Sequence, residues 1–422
     1  MGKYVLAFYC GHDGNVSIVG EGRIVHIERE RITRVKHDGW GGADVERDLV
    51  TRIMALAGIS EDEIVAVAGM GTCCAMQTST GRTAWTDLLT VDAGLSSPYG
   101  LVRQDIQSFF IPHHLGHAAY AFYTSPFEEA QVIASDGGGD AFRWPYGEDL
   151  VIDTGTGWAR HPFGDIRGEW TFTYESAERI GGEWTNFARD MFNNDYAQGQ
   201  VMALMGVPEE RWAELTGFDL AWRPKLLQLQ AMTNWSFYSM LRYGAPPRVA
   251  MAGGVALNGI ASYGLMRDHG VEAMWVPPAP HDGGLSVGAA LYVLHQVLGE
   301  PRVQYSPETV AFSGYTEPAL DDEPPIDRIA NMLSMGKVVA VAHGSAESGP
   351  RALGHRSILA DPRNPATKDR INQIKGRQGF RPVAPSVLAS RADEYFELLN
   401  PVSYKFMTCI ANARPAAGEA AP

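Results

Sequence analysis

Cysteine is scarce in this 422-residue sequence, with Cys10, Cys73, Cys74 and Cys409 its only four. They form no CxxC pair and no disulfide framework, which fits a reducing compartment. Cys73 and Cys74 are adjacent and offer a redox switch as an alternative, but buried free thiols are the commoner use. Long hydrophobic runs are also absent. No apolar stretch approaches the ~20 residues needed to cross a bilayer. The opening MGKYVLAFYCGHDG is broken by Tyr4 and ended by His12 and Asp13, so it reads as a buried strand and not an export signal. No membrane association and a cytoplasmic location are expected. Positive charge is short as well: 35 Lys and Arg stand against 49 Asp and Glu, a net −14. That balance argues against nucleic acid or anionic membrane as partner, because phosphate contacts need a cation excess. A local basic pocket for a nucleotide remains compatible with it.

What is present is the composition of a globular protein, 45% hydrophobic and 20% charged. The length exceeds one ordinary core and calls for at least two domains. Residues 4–10, 16–19 and 23–27 read as three short strands joined by the turns GHDGN and GEG. A helix over 47–58 and a strand over 64–68 follow. The cycle of apolar strand, Gly/Asp turn and helix restarts at Val132 and again at 249–258, with a strand at 273–277 and a turn-helix in HDGGLSVGAALYVLH. The order of elements is that of two duplicated lobes. Residues 168–245 are aromatic and helical in period, with breaks at Gly181-Gly182 and Pro208, and read as an insertion that roofs a pocket. The acidic, Pro-rich DDEPP at 321–325 marks a domain boundary. A second α/β unit follows, with a helix over 326–335 and a strand over 337–342. The terminal RPAAGEAAP carries no core signal and reads as a loop or tail.

The sharpest chemical feature is His113-His114-Leu115-Gly116-His117 at the head of a helix. Residues i and i+4 share one helix face, so His113 and His117 can reach one metal, with His114 facing away. Imidazole suits Fe, Zn, Ni or Cu, and a carboxylate from Asp282 or Asp136 would complete the set. A helix-start histidine cluster bonded to backbone is the structural alternative. Three glycine turns, GHDGN, DGGGD and AGGVALN, each follow an apolar strand. Glycines let backbone amides approach phosphate, so Gly137, Gly138, Gly253, Gly254 and Asn258 are candidates for a nucleotide cleft. Asp13 and Asp136 are candidates to hold Mg²⁺ or a catalytic metal there. His12 can serve either as general base toward a hydroxyl or as a turn-stabilising residue. Further on, Arg351, Arg356, Arg363, Lys375, Arg377 and Arg381 cluster in an otherwise acidic chain, separated by glycines and prolines. A phosphate pocket is the natural reading, because guanidinium binds oxyanions bidentately.

HHLGHAA, SDGGGD, AGGVALN, PHDGGLSVGAAL, SGPRALGHRSILADPR and FRPVAPSV, in this order, resemble the O-carbamoyltransferases of nodulation-factor and antibiotic biosynthesis, including the tobramycin and cephamycin enzymes. The resemblance implies an α/β fold in two parts. Residues 1–320 would form a bilobal actin-like ATPase domain (ASKHA, duplicated RNase H-like), and residues 326–422 part of a threonylcarbamoyl-AMP-synthase-like domain. It implies that carbamoyl phosphate and ATP, with Mg²⁺, give carbamoyl-adenylate, whose carbamoyl group passes to a hydroxyl of a small molecule such as a sugar or polyketide. His113, His117 and Asp282 match the metal ligands, with iron favoured, and Asp136 stands close to the metal. His12 matches the residue that deprotonates the acceptor, with Asp13 beside it. Arg351, Arg356, Ser357, Lys375, Arg377 and Arg381 fall in the adenylate-forming pocket.

The sequence departs from the family where Gln200 replaces a basic residue, Ser345 an arginine and Gln378 a glutamate. The family's second domain also continues beyond the region of residue 422, which leaves the adenylating step more in question than transfer. A threonylcarbamoyl-type transferase acting on tRNA and a non-catalytic nucleotide-binding protein of the same fold are the competing readings. Trp170, Trp184, Phe187, Trp235 and Tyr238 either line an acceptor pocket or belong to the core. A homodimer is left open.

Overall fold

The computed structural model describes residues 4–39, 43–70, 106–111, 113–137, 141–143, 150–152, 171–172, 180–241, 247–316, 324–415 and 417. Strands β1 (Tyr4–Tyr9), β2 (Asn15–Gly20) and β3 (Arg23–Glu28) form the antiparallel meander read from the sequence. The turn between β2 and β3 places both central residues, Glu21 and Gly22, at positive φ (49° and 73°), the geometry that matches strand twist in a two-residue hairpin. Every residue of β1 and β2 is buried, as their continuous apolar runs require. Helix α1 (Arg29–Thr33) follows β3, and α2 (Ala43–Ala57) packs Leu49, Val50 and Ile53 on one face of the sheet. Strands β4 (Ile64–Met70) and β5 (Gln107–Phe110) add in parallel, giving the order β3-β2-β1-β4-β5.

Helix α3 (His113–Thr124) leads to β6 (Gln131–Ala134), a short antiparallel pair β7 (Ala141–Arg143) and β8 (Leu150–Ile152), and β9 (Thr171–Phe172). Helices α4 (Ile180–Phe192), α5 (Gln198–Leu204), α6 (Trp212–Thr216) and α7 (Trp222–Ser239) follow. Then come β10 (Arg248–Ala252), α8 (Gly259–Asp268), β11 (Ala273–Trp275) and α9 (Leu285–Tyr292). The second sheet is all parallel, in the order β11-β10-β6-β9. Between the two sheets lie α3 and α9, both buried along their whole length. α3 packs on β6 and β10, α9 on β1, β2 and β4, and each packs on the other. A Cβ on Gly288 would fall on the carbonyl of Gly116, so the two helices meet backbone to backbone.

The helical insertion is present over 180–239, with two departures from the reading. It is preceded by strand β9, paired with β6, and Gly181-Gly182 lie inside the first turn of α4 instead of breaking it. The glycine is there for proximity: a Cβ at Gly181 would stand 2.6 Å from the carbonyl carbon of Asp136. The break at Pro208 is as read. Trp184 and Phe187 pack in the second core, whereas Trp235 and Tyr238 are about half exposed on the outer face of α7. Trp170, Cys73, Cys74 and Gly138 lie outside the described residues.

Helix α10 (Pro307–Ala311) precedes the proposed boundary, which falls in part outside the described residues. Beyond it come α11 (Ile326–Ser334), β12 (Val339–Ala342), β13 (Arg356–Leu359) and α12 (Thr367–Ile374), with β12 and β13 antiparallel. The later part of this segment returns to the second sheet. Ser403 Oγ accepts from the Met274 amide at 2.9 Å, Phe406 meets Trp275 edge-on, and Phe380 joins the core beneath α4–α7. Cys10 is disulfide-bonded rather than free, against the expectation of reduced thiols, while Cys409 is a free thiol. No helix among the described residues is long and apolar enough to cross a membrane.

Candidate metal centre

Four side chains from three elements converge where α3, β6 and α9 begin or end. His113 and His117 project from the first turns of α3, Asp136 follows β6, and Asp282 lies in the 3-10 turn that opens α9. His113 Nε2 stands 3.1 Å from Asp136 Oδ2 and 3.4 Å from Asp282 Oδ1. His117 Nε2 is 3.5 Å and 3.4 Å from the same two oxygens. The two imidazole nitrogens are 3.2 Å apart. Ligands held about 2.1 Å from a tetrahedral centre stand about 3.4 Å from one another, so these separations fit a divalent cation. Two imidazole N–H groups cannot donate to each other, and a shared cation resolves that approach. Asp136, read as a neighbour of the metal, is placed as close to the histidines as Asp282. His114, buried but turned aside, is not among the converging atoms.

The charges are balanced within the cluster. Burial opposes the charged form of both histidines, yet Asp282 and Asp136 outweigh it and raise both, His113 well above the ordinary value. Burial also works against the two carboxylates, but the histidines hold both below their usual range. A cation entering the centre therefore displaces protons, and its affinity rises with pH.

His12 sits at the edge of this cluster. Its Nδ1 is 2.9 Å from Asp13 Oδ2, and its Nε2 is 3.5 Å from Asp282 Oδ2. Asp13, at φ 60°, also meets His37 Nδ1 at 2.8 Å. The hydrogen bond to Asp13 outweighs burial and, with the charge of Asp282, lifts His12 from 6.5 to about 9. In the metal-free protein His12 is thus an imidazolium at neutral pH, not a ready base. Because the folded value is the higher one, its contribution to stability is full below pH 6.5 and is lost as pH climbs through about 9. Histidine NMR of the chelator-treated protein should show one resonance with a midpoint near 9, absent in His12→Asn. A midpoint at the ordinary value would remove the Asp13 pairing from the account.

A cavity of about 960 Å³ opens above the centre, lined by Asp136, Asp282, His12, Tyr196 and Trp184. Of the glycine-turn candidates, Gly137, Gly254 and Asn258 reach it. The Gly254 amide donates to Asp136 Oδ1 at 2.7 Å and so orients that carboxylate. Asn258 caps α8 through Ala261 N and exchanges hydrogen bonds with Gln230. Gly253, at φ 97°, is required by the closeness of Ser135.

The cluster of basic residues divides. Arg351 and Arg381 line the same cavity as the metal ligands, and neither forms an ion pair among the described residues. Burial lowers both. Arg356 instead donates to the carbonyls of His343 and Gly344, Ser357 Oγ accepts from the Gly354 amide, and Arg377 is bound to Asn372 and Pro382 O. Lys375 is exposed. Arg351 is delivered by a loop bolted to β3: Gly349 N donates to Glu28, Arg31 donates to Gly349 O at 2.6 Å, and His26 meets Ser348 at 2.8 Å. Gln200 and Gln378, two departures from the family pattern, are partners, with Gln378 Nε2 donating to Gln200 Oε1 at 2.8 Å.

Residues 240–291 match the family model described as carbamoyltransferase N-terminus, and residues 330–422 the one described as carbamoyltransferase C-terminus. Nodulation protein NolNO of Sinorhizobium fredii is 31% identical over 451 residues, covering 92% of this chain and 64% of that protein. The chain therefore spans under two thirds of that relative's length. An uncharacterized protein of Synechocystis is 28% identical, covering 97% of this chain and 79% of its own. Nodulation protein U of Bradyrhizobium diazoefficiens is 38% identical over 179 residues, 39% of this chain and 30% of that protein. Among solved structures, full-length HypF in its phosphate- and nucleotide-bound form aligns over 72% of this chain and 56% of its own at 13% identity and a TM-score of 0.40. The ROK hexokinase of Thermus thermophilus aligns over 68% and 97% at 15% identity and a TM-score of 0.37.

Proposed function

The chain belongs to the carbamoyltransferase family, and from that premise we propose that it moves a carbamoyl group onto a hydroxyl of a small molecule within the cavity above the four-ligand centre. The observation that carries this reading is the shared cavity, in which a convergent His₂Asp₂ set faces two guanidinium groups that form no ion pair among the described residues. The arginines suit the anionic end of a carbamoyl donor, carbamoyl phosphate or the carbamoyl-adenylate formed from it with ATP and Mg²⁺. His113, His117, Asp136 and Asp282 would hold a divalent cation, iron by resemblance, which when bound would supply Lewis-acid polarisation of a carbonyl. Two sheets flanking α3 and α9 support the reading of duplicated actin-like lobes.

The chain's own groups have distinct tasks. Arg351 and Arg381 bind and orient the donor. Asp13 fixes the proton of His12 on Nδ1, which leaves Nε2, the atom nearest the centre, to accept the acceptor's proton once His12 is neutral. The acceptor oxygen then bonds to the carbamoyl carbon as the phosphate oxygen leaves with its electron pair.

Carbamoyl phosphate-dependent pyrophosphate release from ATP, with mass-spectrometric detection of carbamoylated product, tests the whole reading. Neither signal, from protein shown to hold metal, would overturn it. Arg351→Ala should raise the KM for the donor about 10- to 100-fold, the worth of charge-assisted hydrogen bonds, without lowering the Tm. An unchanged donor KM would take the arginine out of the donor site.

A further inference from the structure

Asp282 offers only one of its two oxygens to His113 and His117. Oδ1 is 3.4 Å from both imidazole nitrogens, whereas Oδ2 is turned toward the hydroxyl of Tyr9, which donates to it at 2.5 Å. Tyr9 is the last residue of β1 and is buried, its ring lying edge-on to His113 with centroids 5.8 Å apart. The space its hydroxyl occupies is reserved by the chain, since a Cβ on Gly11 would overlap it. Directly across the strand pair from Tyr9 stands Asn15. Its Nδ2 donates to the main-chain oxygen of Asp282 at 2.8 Å, and its Oδ1 accepts from the Ser286 amide at 3.0 Å. One cross-strand pair of the first sheet thus grips residue 282 by its carboxylate and by its backbone.

We propose that Tyr9 is a positioning residue of the metal centre, its hydroxyl holding Asp282 through Oδ2 so that Oδ1 alone faces His113 and His117. An ionised carboxylate is acceptor-only, and with the Tyr9 hydroxyl gone only His12 Nε2, at 3.5 Å, faces Oδ2, too far to stop the group turning about its Cβ–Cγ bond to present either or both oxygens. Asn15 holds the backbone but cannot stop that rotation. Tyr9 therefore acts on how the carboxylate meets the cation, not on whether α9 is in place. Residues that orient a ligand in this way are typically worth about 10- to 100-fold in metal affinity.

The inference rests on the four-ligand reading of the centre, and Co²⁺ titration separates the two. Wild type, Tyr9→Phe and His117→Ala, each stripped with chelator, are titrated with Co²⁺ against a competing chelator while the visible d–d bands are recorded. The expected result is one Co²⁺ per wild-type chain and an affinity about 10- to 100-fold weaker in Tyr9→Phe, with altered bands and an unchanged Tm in chelator. Equal affinity and identical bands in Tyr9→Phe, with binding lost in His117→Ala, overturn the role of Tyr9 and leave the centre standing. No Co²⁺ bound by wild type overturns both.

Discussion

Replacing His117 by alanine should abolish stoichiometric metal binding and lower carbamoyl transfer by about a thousandfold. A Lewis-acid cation contributes several kcal/mol to such a step, and each 1.36 kcal/mol is about tenfold in rate. His117 is fully buried, and its Nε2 is within 3.5 Å of both carboxylates. The variant also removes one of the two α3 imidazoles that face Asp136 and Asp282, which on the scale of broken buried pairs costs about 3 kcal/mol. His117→Gln is therefore measured beside it, since its amide keeps a donor near the carboxylates. Elemental analysis, product formation and the melting curve in chelator decide the matter. Full metal content together with full activity in either variant would sink the ligand assignment.

The second large effect is expected at Gly288. A methyl group there meets Gly116 main-chain atoms, with the carbonyl carbon at 2.8 Å, and no rotamer change relieves a clash with backbone. The axes of α3 and α9 must separate. Overpacking of this kind costs about 1–3 kcal/mol, and more where backbone must move. Gly288→Ala should therefore lose about 3 kcal/mol in denaturant unfolding. Because His113 and His117 lie on α3 and Asp282 opens α9, the same change should weaken metal binding. Gly264→Ala is the control: it sits in α8 with nothing within 4 Å of its would-be Cβ. There the same substitution should be neutral or stabilise by about 0.5–1 kcal/mol. Equal midpoints for the two variants would mean that α3 and α9 are not in backbone contact.

The convergence of the four side chains of the candidate metal centre was largely legible because they obey local rules. A four-residue spacing on a helix fixes His113 and His117, and each carboxylate follows an apolar strand in a Gly-rich turn. The choice between Asp136 and Asp282 was not legible, since spacing says nothing of which turns converge, and both do. Tyr9 and Asn15 were hidden for a different reason. They look like ordinary members of a buried hairpin, and their partner is some 270 residues away in sequence. Gly181 was misread as a helix breaker because a glycine demanded by a neighbouring backbone has the same letter as one that ends a helix. The basic cluster was read as one pocket, but Arg356 and Arg377 serve their own loops. Only the carbonyls around them, which no pattern of side chains reveals, separate them from Arg351 and Arg381.

The amide pair between Gln200 and Gln378 bears on how the wall of the cavity answers to salt. It joins α5 to the loop that carries Arg381 without adding a charge of either sign. An exposed ion pair in that place would weaken as salt screens it, over a Debye length of about 8 Å at physiological ionic strength, whereas an amide–amide hydrogen bond carries no net charge to screen. The cavity wall beside it carries both signs, with Asp13, Asp136, Asp195 and Asp282 as well as Arg351 and Arg381. The join between α5 and that loop therefore holds as well in concentrated salt as in dilute buffer, so this wall of the cavity keeps its shape across ionic strengths that would loosen an exposed ion pair.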